Sequence, residues 1–111
     1  MSSVTNIGTV TIANGQTESS YIETSSKQPI AIHLPAAFTG TAITFKVAST
    51  FNGTYKSVTD KDGAALTLVV AADTVVQILP VDGVVLTPFL KLVSGSAEGA
   101  ERIIEVKTYG L

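Results

Sequence analysis

The stretch that most limits what this chain can become is Ile43 to Val58, ITFKVASTFNGTYKSV. Ile43, Phe45 and Val47 alternate with Thr44, Lys46 and Ala48. A period of two is the mark of a strand with one buried and one wet face. Thr50-Phe51-Asn52-Gly53-Thr54 then reads as a turn, because Asn-Gly accepts the positive φ values of tight hairpins. A second short strand follows from Tyr55 to Val58. The unit predicts antiparallel β architecture and contains no group that does chemistry.

The rest of the chain repeats this grammar. Strands are predicted at Thr9 to Ala13, Ser20 to Glu23, Ile30 to Leu34, Leu66 to Val70, Thr74 to Leu79, Phe89 to Val93 and Arg102 to Thr108. Leu66 to Val70 alternates poorly, which suggests burial on both faces. Prolines at 29 and 35 are expected to bound the third strand, since proline cannot donate to a ladder. Val84 to Leu86 is either an exposed apolar bulge or a short strand. Asn14-Gly15, Asp60-Lys61-Asp62-Gly63 and Pro80-Val81-Asp82-Gly83 supply turns. Turn signals recur about every ten residues, and no segment has useful helical amphipathicity. That pattern predicts an all-β, antiparallel, jelly-roll-like β-sandwich of about eight strands.

With 111 residues there is room for one domain. Residues 1–7 are read as a flexible N-terminal arm and residues 8–111 as the sandwich. Charged residues are only 14% of the chain, well below the usual ~25%. Thr, Ser, Asn and Gln must therefore cover the surface. Such a surface suits packing against other protein, or it is simply a Thr-rich exterior. The net charge is −2 and the basic residues are scattered, so nucleic-acid binding is disfavoured. There is no cysteine, which removes thiol chemistry and Cys-ligated zinc. The N-terminus lacks the basic and apolar regions of a signal peptide. The longest apolar run, Leu66 to Ala72, is too short to span a bilayer. No membrane partner is expected, and synthesis is expected in the cytoplasm of the producing cell.

Candidate chemistry is sparse. His33 lies between Ile32 and Leu34, so alternation turns it to solvent or to a partner, and a plain strand histidine is the simpler reading. Asp60-x-Asp62-Gly63 resembles the start of a calcium loop, but the twelfth position, which needs Glu, is Ala71. A hairpin turn is expected there. Glu98 and Glu101 flank Gly99 in a loop and read as solvated rather than as a glycosidase pair. Tyr21, Tyr55 and Tyr109 could stack on a sugar, although rim tyrosines commonly pack with the hydroxyl in water. No catalytic, cofactor or metal site is expected, and the chain reads as a non-enzyme.

Several runs nevertheless suggest a family. They are residues 11–20 (TIANGQTESS), residues 29–40 (PIAIHLPAAFTG), Asn52-Gly53-Thr54-Tyr55, residues 89–95 (FLKLVSG) and Arg102-Ile103-Ile104-Glu105-Val106. Together these resemble tailed-bacteriophage capsid decoration (staple or cement) proteins, similar to those of short-tailed enterobacterial phages. The resemblance implies a virion structural protein on the outer surface of the head, clamping neighbouring major capsid subunits as a homodimer. It implies no catalytic residues. The alternative is a carbohydrate- or receptor-binding module of a virion appendage, which the same fold would serve. For partner contact, the expected residues are Val4, Ile7, Val10 and Ile12, on an arm or edge strand without a hairpin mate, and Val84, Val85 and Leu86, an apolar triplet in a turn region.

Overall fold

The computed structural model describes residues 5–24, 27–78 and 88–110. Among these residues there are nine strands and no helix. The strands are β1 (Thr5–Ile12), β2 (Ile22–Glu23), β3 (Lys27–His33), β4 (Ala42–Ala48), β5 (Lys56–Ser57), β6 (Thr67–Val69), β7 (Val75–Gln77), β8 (Phe89–Ser94) and β9 (Arg102–Gly110). They form two antiparallel sheets. Sheet A runs β1-β9-β3-β7 and sheet B runs β2-β8-β4-β5, with β6 also on β4. The predicted β-sandwich is therefore the observed one. The chain passes back and forth between the sheets, and only β4, β5 and β6 follow one another within one sheet.

Alternation explains the packing. Ile43 and Phe45 of β4, Leu90 and Leu92 of β8, Ile32 of β3 and Ile104 and Val106 of β9 all point inward and are buried. Val10 and Ile12 of β1 join them. Burying side chains of this size stabilises the fold by roughly 1.5–3 kcal/mol each, before entropy is counted. Segment 17–20 stitches the sheets together at one side. Ser20 and Thr11 share a backbone hydrogen bond, and Ser19 N–H donates to the Leu92 carbonyl.

The structure changes several local expectations. The first strand begins at Thr5 rather than Thr9 and pairs residue for residue with β9, from Thr5↔Tyr109 to Ile12↔Arg102. Residues 5–7, expected in a flexible arm, are thus part of a paired strand. The third strand runs through Pro29, because β3 meets only β9 there and the register shifts between Pro29 and Ala31. Ile30, displaced by that bulge, instead accepts a hydrogen bond from Ile78 N–H at 2.8 Å. The Asn52-Gly53 hairpin is looser than a two-residue turn. The loop from Ser49 to Tyr55 turns through a Gly53 N–H bond to the Thr50 carbonyl, and Gly53 does not adopt positive φ. Leu66 to Val70 is not buried on both faces, since Val69 stands in solvent.

The Asp60 turn is self-contained. Gly63 has φ 87°, and one Asp60 carboxylate oxygen accepts from the amides of Asp62 and Ala64 at 2.8 and 3.0 Å. That oxygen serves the turn's own backbone.

Candidate functional site: partner-binding surfaces

The residues expected to touch a partner separate into three groups. Val10 and Ile12 are fully buried in the core and cannot contact one. The physical reason is the pairing of β1 with β9, which turns this face of the strand against sheet B. Ile7, on the opposite face of β1, is 62% exposed and remains available. Val4, Val84, Val85 and Leu86 lie outside the described residues.

On the outer face of sheet A, the strand register sets side chains in rows. One row reads Ile7, Lys107, Ala31, Gln77, and the next Thr9, Glu105, His33, Val75. Ile103 stands beside Thr11 at the end of the face. Ile7, Ile103 and Val75 are exposed apolar residues on this otherwise polar surface. His33 faces outward as expected and lines a shallow groove of about 410 Å³ with Val75, Gln77 and Lys107.

A different surface covers the outer face of sheet B. Because Leu90 and Leu92 point inward, Phe89 and Lys91 must point outward. Phe89 meets Tyr21, from the segment before β2, edge-on with centroids 5.5 Å apart. It also meets Phe51, from the β4–β5 loop, at 6.4 Å. Tyr21 and Phe51 close the triangle at 6.0 Å, tilted by 40°. Edge-to-face contacts of this kind add about 0.5–1.5 kcal/mol beyond area burial. Tyr21 and Phe51 are nevertheless both exposed. Of the tyrosines considered for sugar stacking, only Tyr21 joins this trio. Tyr55 carries the Lys91 ammonium 4.3 Å from its ring centroid and donates its hydroxyl proton to the Phe51 carbonyl. The side chain of Tyr109 is outside the described part.

Beside the aromatic trio, Glu18 bridges two lysines. Lys46 Nζ lies 2.8 Å from one carboxylate oxygen and Lys91 Nζ 3.0 Å from the other. Hydrogen bonds from Lys46 and then Lys91 hold the Glu18 carboxyl below its ordinary range. Burial, the larger influence, pushes the Tyr55 phenol up.

Glu98 is the largest departure from expectation. Read as a solvated loop residue, it is 1% exposed. Its carboxylate accepts from Thr39 N–H at 2.9 Å, Gly40 N–H at 3.0 Å, Ser94 Oγ at 3.1 Å and Arg102 Nε at 2.9 Å. Its own backbone bonds to Gly15 and Gln16. Burial pushes this carboxyl up, but the bonds from Thr39, Arg102, Gly40 and Ser94 outweigh it and leave the group below its ordinary range. Glu98 thereby locks three loops at one end of the sandwich. Gly40 is required there, since a Cβ would run into Ser94 Oγ and crowd Phe38. Glu101 remains exposed, as expected.

No sequence motif marks either the Glu98 clasp or the aromatic trio, whose members come from separated parts of the chain. The outward facing of Phe89 was available from the inward Leu90 and Leu92. Comparison of the chain with family models, curated proteins and solved structures finds no match.

Proposed function

We infer that this chain is a virion structural protein that decorates the outside of a tailed-phage head and clamps neighbouring major capsid subunits. The observation that carries the reading is the placement of exposed apolar side chains on both outer faces of one sandwich. Ile7, Ile103 and Val75 stand on sheet A, and Tyr21 and Phe51 on sheet B. A clamp must touch two neighbours at once, and a two-sided module does so without either contact being strong. Linking two weak contacts makes the second one intramolecular and multiplies their effect. Binding assembled shell in preference to free subunits then stabilises the shell by mass action. The resemblance of the sequence to decoration proteins and its low charge point the same way.

A second reading, a carbohydrate- or receptor-binding appendage module, is favoured by the aromatic trio, which lies on one face only. Imaging of virions that carry this chain separates the two. Copies over the junctions between shell subunits, in numbers comparable to those subunits, are expected. A handful of copies on the tail would overturn the decoration reading in favour of the appendage. Phe51→Ala and Ile103→Lys are each expected to lower shell occupancy, because each removes one side of the clamp.

A further inference from the structure

The chain holds two Asn-Gly dipeptides, Asn14-Gly15 and Asn52-Gly53. Such a pair is chemically labile. The glycine nitrogen can attack the asparagine side-chain carbonyl, because no Cβ crowds the approach and the glycine backbone turns freely into it. Asn6, the remaining asparagine, precedes the β-branched Ile7 and is paired with Thr108 in the β1–β9 ladder. All four residues of the two dipeptides are exposed, so exposure does not separate them. Their hydrogen bonds do.

The Gly15 nitrogen is tied to the Glu98 clasp. Its N–H donates to the Glu98 carbonyl at 2.7 Å, and Glu98 N–H donates to the Gln16 carbonyl at 3.0 Å. Gln16 N–H closes the turn on the Ala13 carbonyl at 3.0 Å. Gly15 takes φ 81°, a value that tight turns reserve for glycine. The Glu98 side chain is itself buried and held by Thr39, Gly40, Ser94 and Arg102. Freeing the Gly15 nitrogen for attack therefore means loosening a buried network as well as a turn. Gly53 N–H instead donates to the Thr50 carbonyl at 3.1 Å, three residues back in the same loop. Thr50, Phe51, Asn52, Gly53 and Thr54 are all exposed, so that bond opens with the loop alone. Segments with few buried contacts open at far lower free-energy cost than the core.

We propose that Asn52 is a site of spontaneous deamidation in the folded chain, and that the Glu98 clasp protects Asn14 from the same reaction. The Gly53 nitrogen gives its proton to solvent base and bonds to the Asn52 Cγ. The Cγ–Nδ2 bond breaks, ammonia leaves, and a five-membered succinimide closes. Water then adds to either ring carbonyl, and opening gives aspartate or isoaspartate. The sum consumes one amide and one water and yields one carboxylate and one ammonium. The product places a negative charge beside Phe51 of the aromatic trio, and isoaspartate also lengthens the backbone there by one carbon. None of this rests on the phage-head reading.

The test uses the purified wild-type chain, held at physiological temperature and mildly alkaline pH. Trypsin separates the two sites, since peptide 47–56 carries Asn52 and peptide 1–27 carries Asn14. Mass spectrometry follows the replacement of amide by acid, and fragment spectra assign the residue. In the folded chain Asn14 is expected to react at least about tenfold more slowly than Asn52, a ratio that about 1.4 kcal/mol of extra opening cost produces. In denaturing urea the two rates should converge. Amide exchange reads the same openings directly, and the Gly53 amide should exchange faster than that of Gly15. Glu98→Gln, with folding verified by circular dichroism, should speed Asn14 and leave Asn52 unchanged. Equal rates in the folded chain would overturn the proposal. So would a native difference that persists in urea, because neighbouring residues rather than the fold would then set it. An Asn14 rate unmoved by a folded Glu98→Gln chain would remove the clasp as the protecting element.

Discussion

Glu98 and Glu18 each hold cationic side chains, but with different consequences. Glu98 is buried, faces one arginine and receives three further hydrogen bonds. Glu18 is about one-third exposed and shares two lysines across the outer face of sheet B. A desolvated carboxylate depends on its full set of donors, and those donors depend on it in return. A carboxylate at the surface is always offered water as a substitute. The first is a fastening of the fold, whereas the second tunes a surface.

Glu98→Ala would test this difference most severely. It strands the Arg102 guanidinium, the Ser94 hydroxyl and two backbone amides, and should cost about 3–5 kcal/mol, read as a lower midpoint in urea. Glu98→Gln keeps the shape but turns an NH2 donor toward other donors, and should cost about 1–3 kcal/mol. Gly40→Ala, which crowds the same clasp with its charges intact, should cost about 1–3 kcal/mol and leave the urea slope unchanged. If Gly40→Ala matched the effect of Glu98→Ala, shape rather than charge would hold the loops; if Glu98→Gln matched it, the charge would.

Acid sharpens the contrast further. Both carboxyls are lowered in the folded chain, so folding favours their ionised forms. The stability this gives is fully present above the unfolded carboxylate value of about 4.3 and is lost as pH falls through the lowered folded values. Urea midpoints measured from pH 6 downward should fall below that point. The fall should be shallower in Glu98→Gln and nearly unchanged in Glu18→Gln. Smallest of all is Glu18→Ala at neutral pH, expected to cost about 0–1 kcal/mol and to shrink with added salt. A larger, salt-insensitive loss would place Glu18 in the same class as Glu98.

The same contrast marks how far the sequence could be read. Alternation in Ile43 to Val47 and Arg102 to Thr108 was enough for the strands of the sandwich and for the inward facing of Ile43, Phe45, Ile104 and Val106, because strand facing is a local property. Val10 and Ile12 were placed correctly on one face of β1 but assigned to a partner, because their true cover is β9 and sheet B, far along the chain. Glu98 was illegible for a related reason. An acidic residue in a Gly- and Ser-rich loop reads as solvated, and its donors Thr39 and Gly40 reach it only in three dimensions. The aromatic trio has the same character: Tyr21, Phe51 and Phe89 meet only once the sheets have formed.

The pairing of β1 with β9 also governs how the molecule comes into being. The first strand has its ladder partner at the far end of the chain, so during synthesis it has nothing to zip against until the last strand leaves the ribosome. Contacts this distant in sequence form slowly, because a long loop must close before they return anything. Partly made chains therefore expose both edges of β1 and are prone to capture by chaperones or by one another. A chain cut short before β9 should remain unfolded, because β1 gains its ladder partner only when β9 is present.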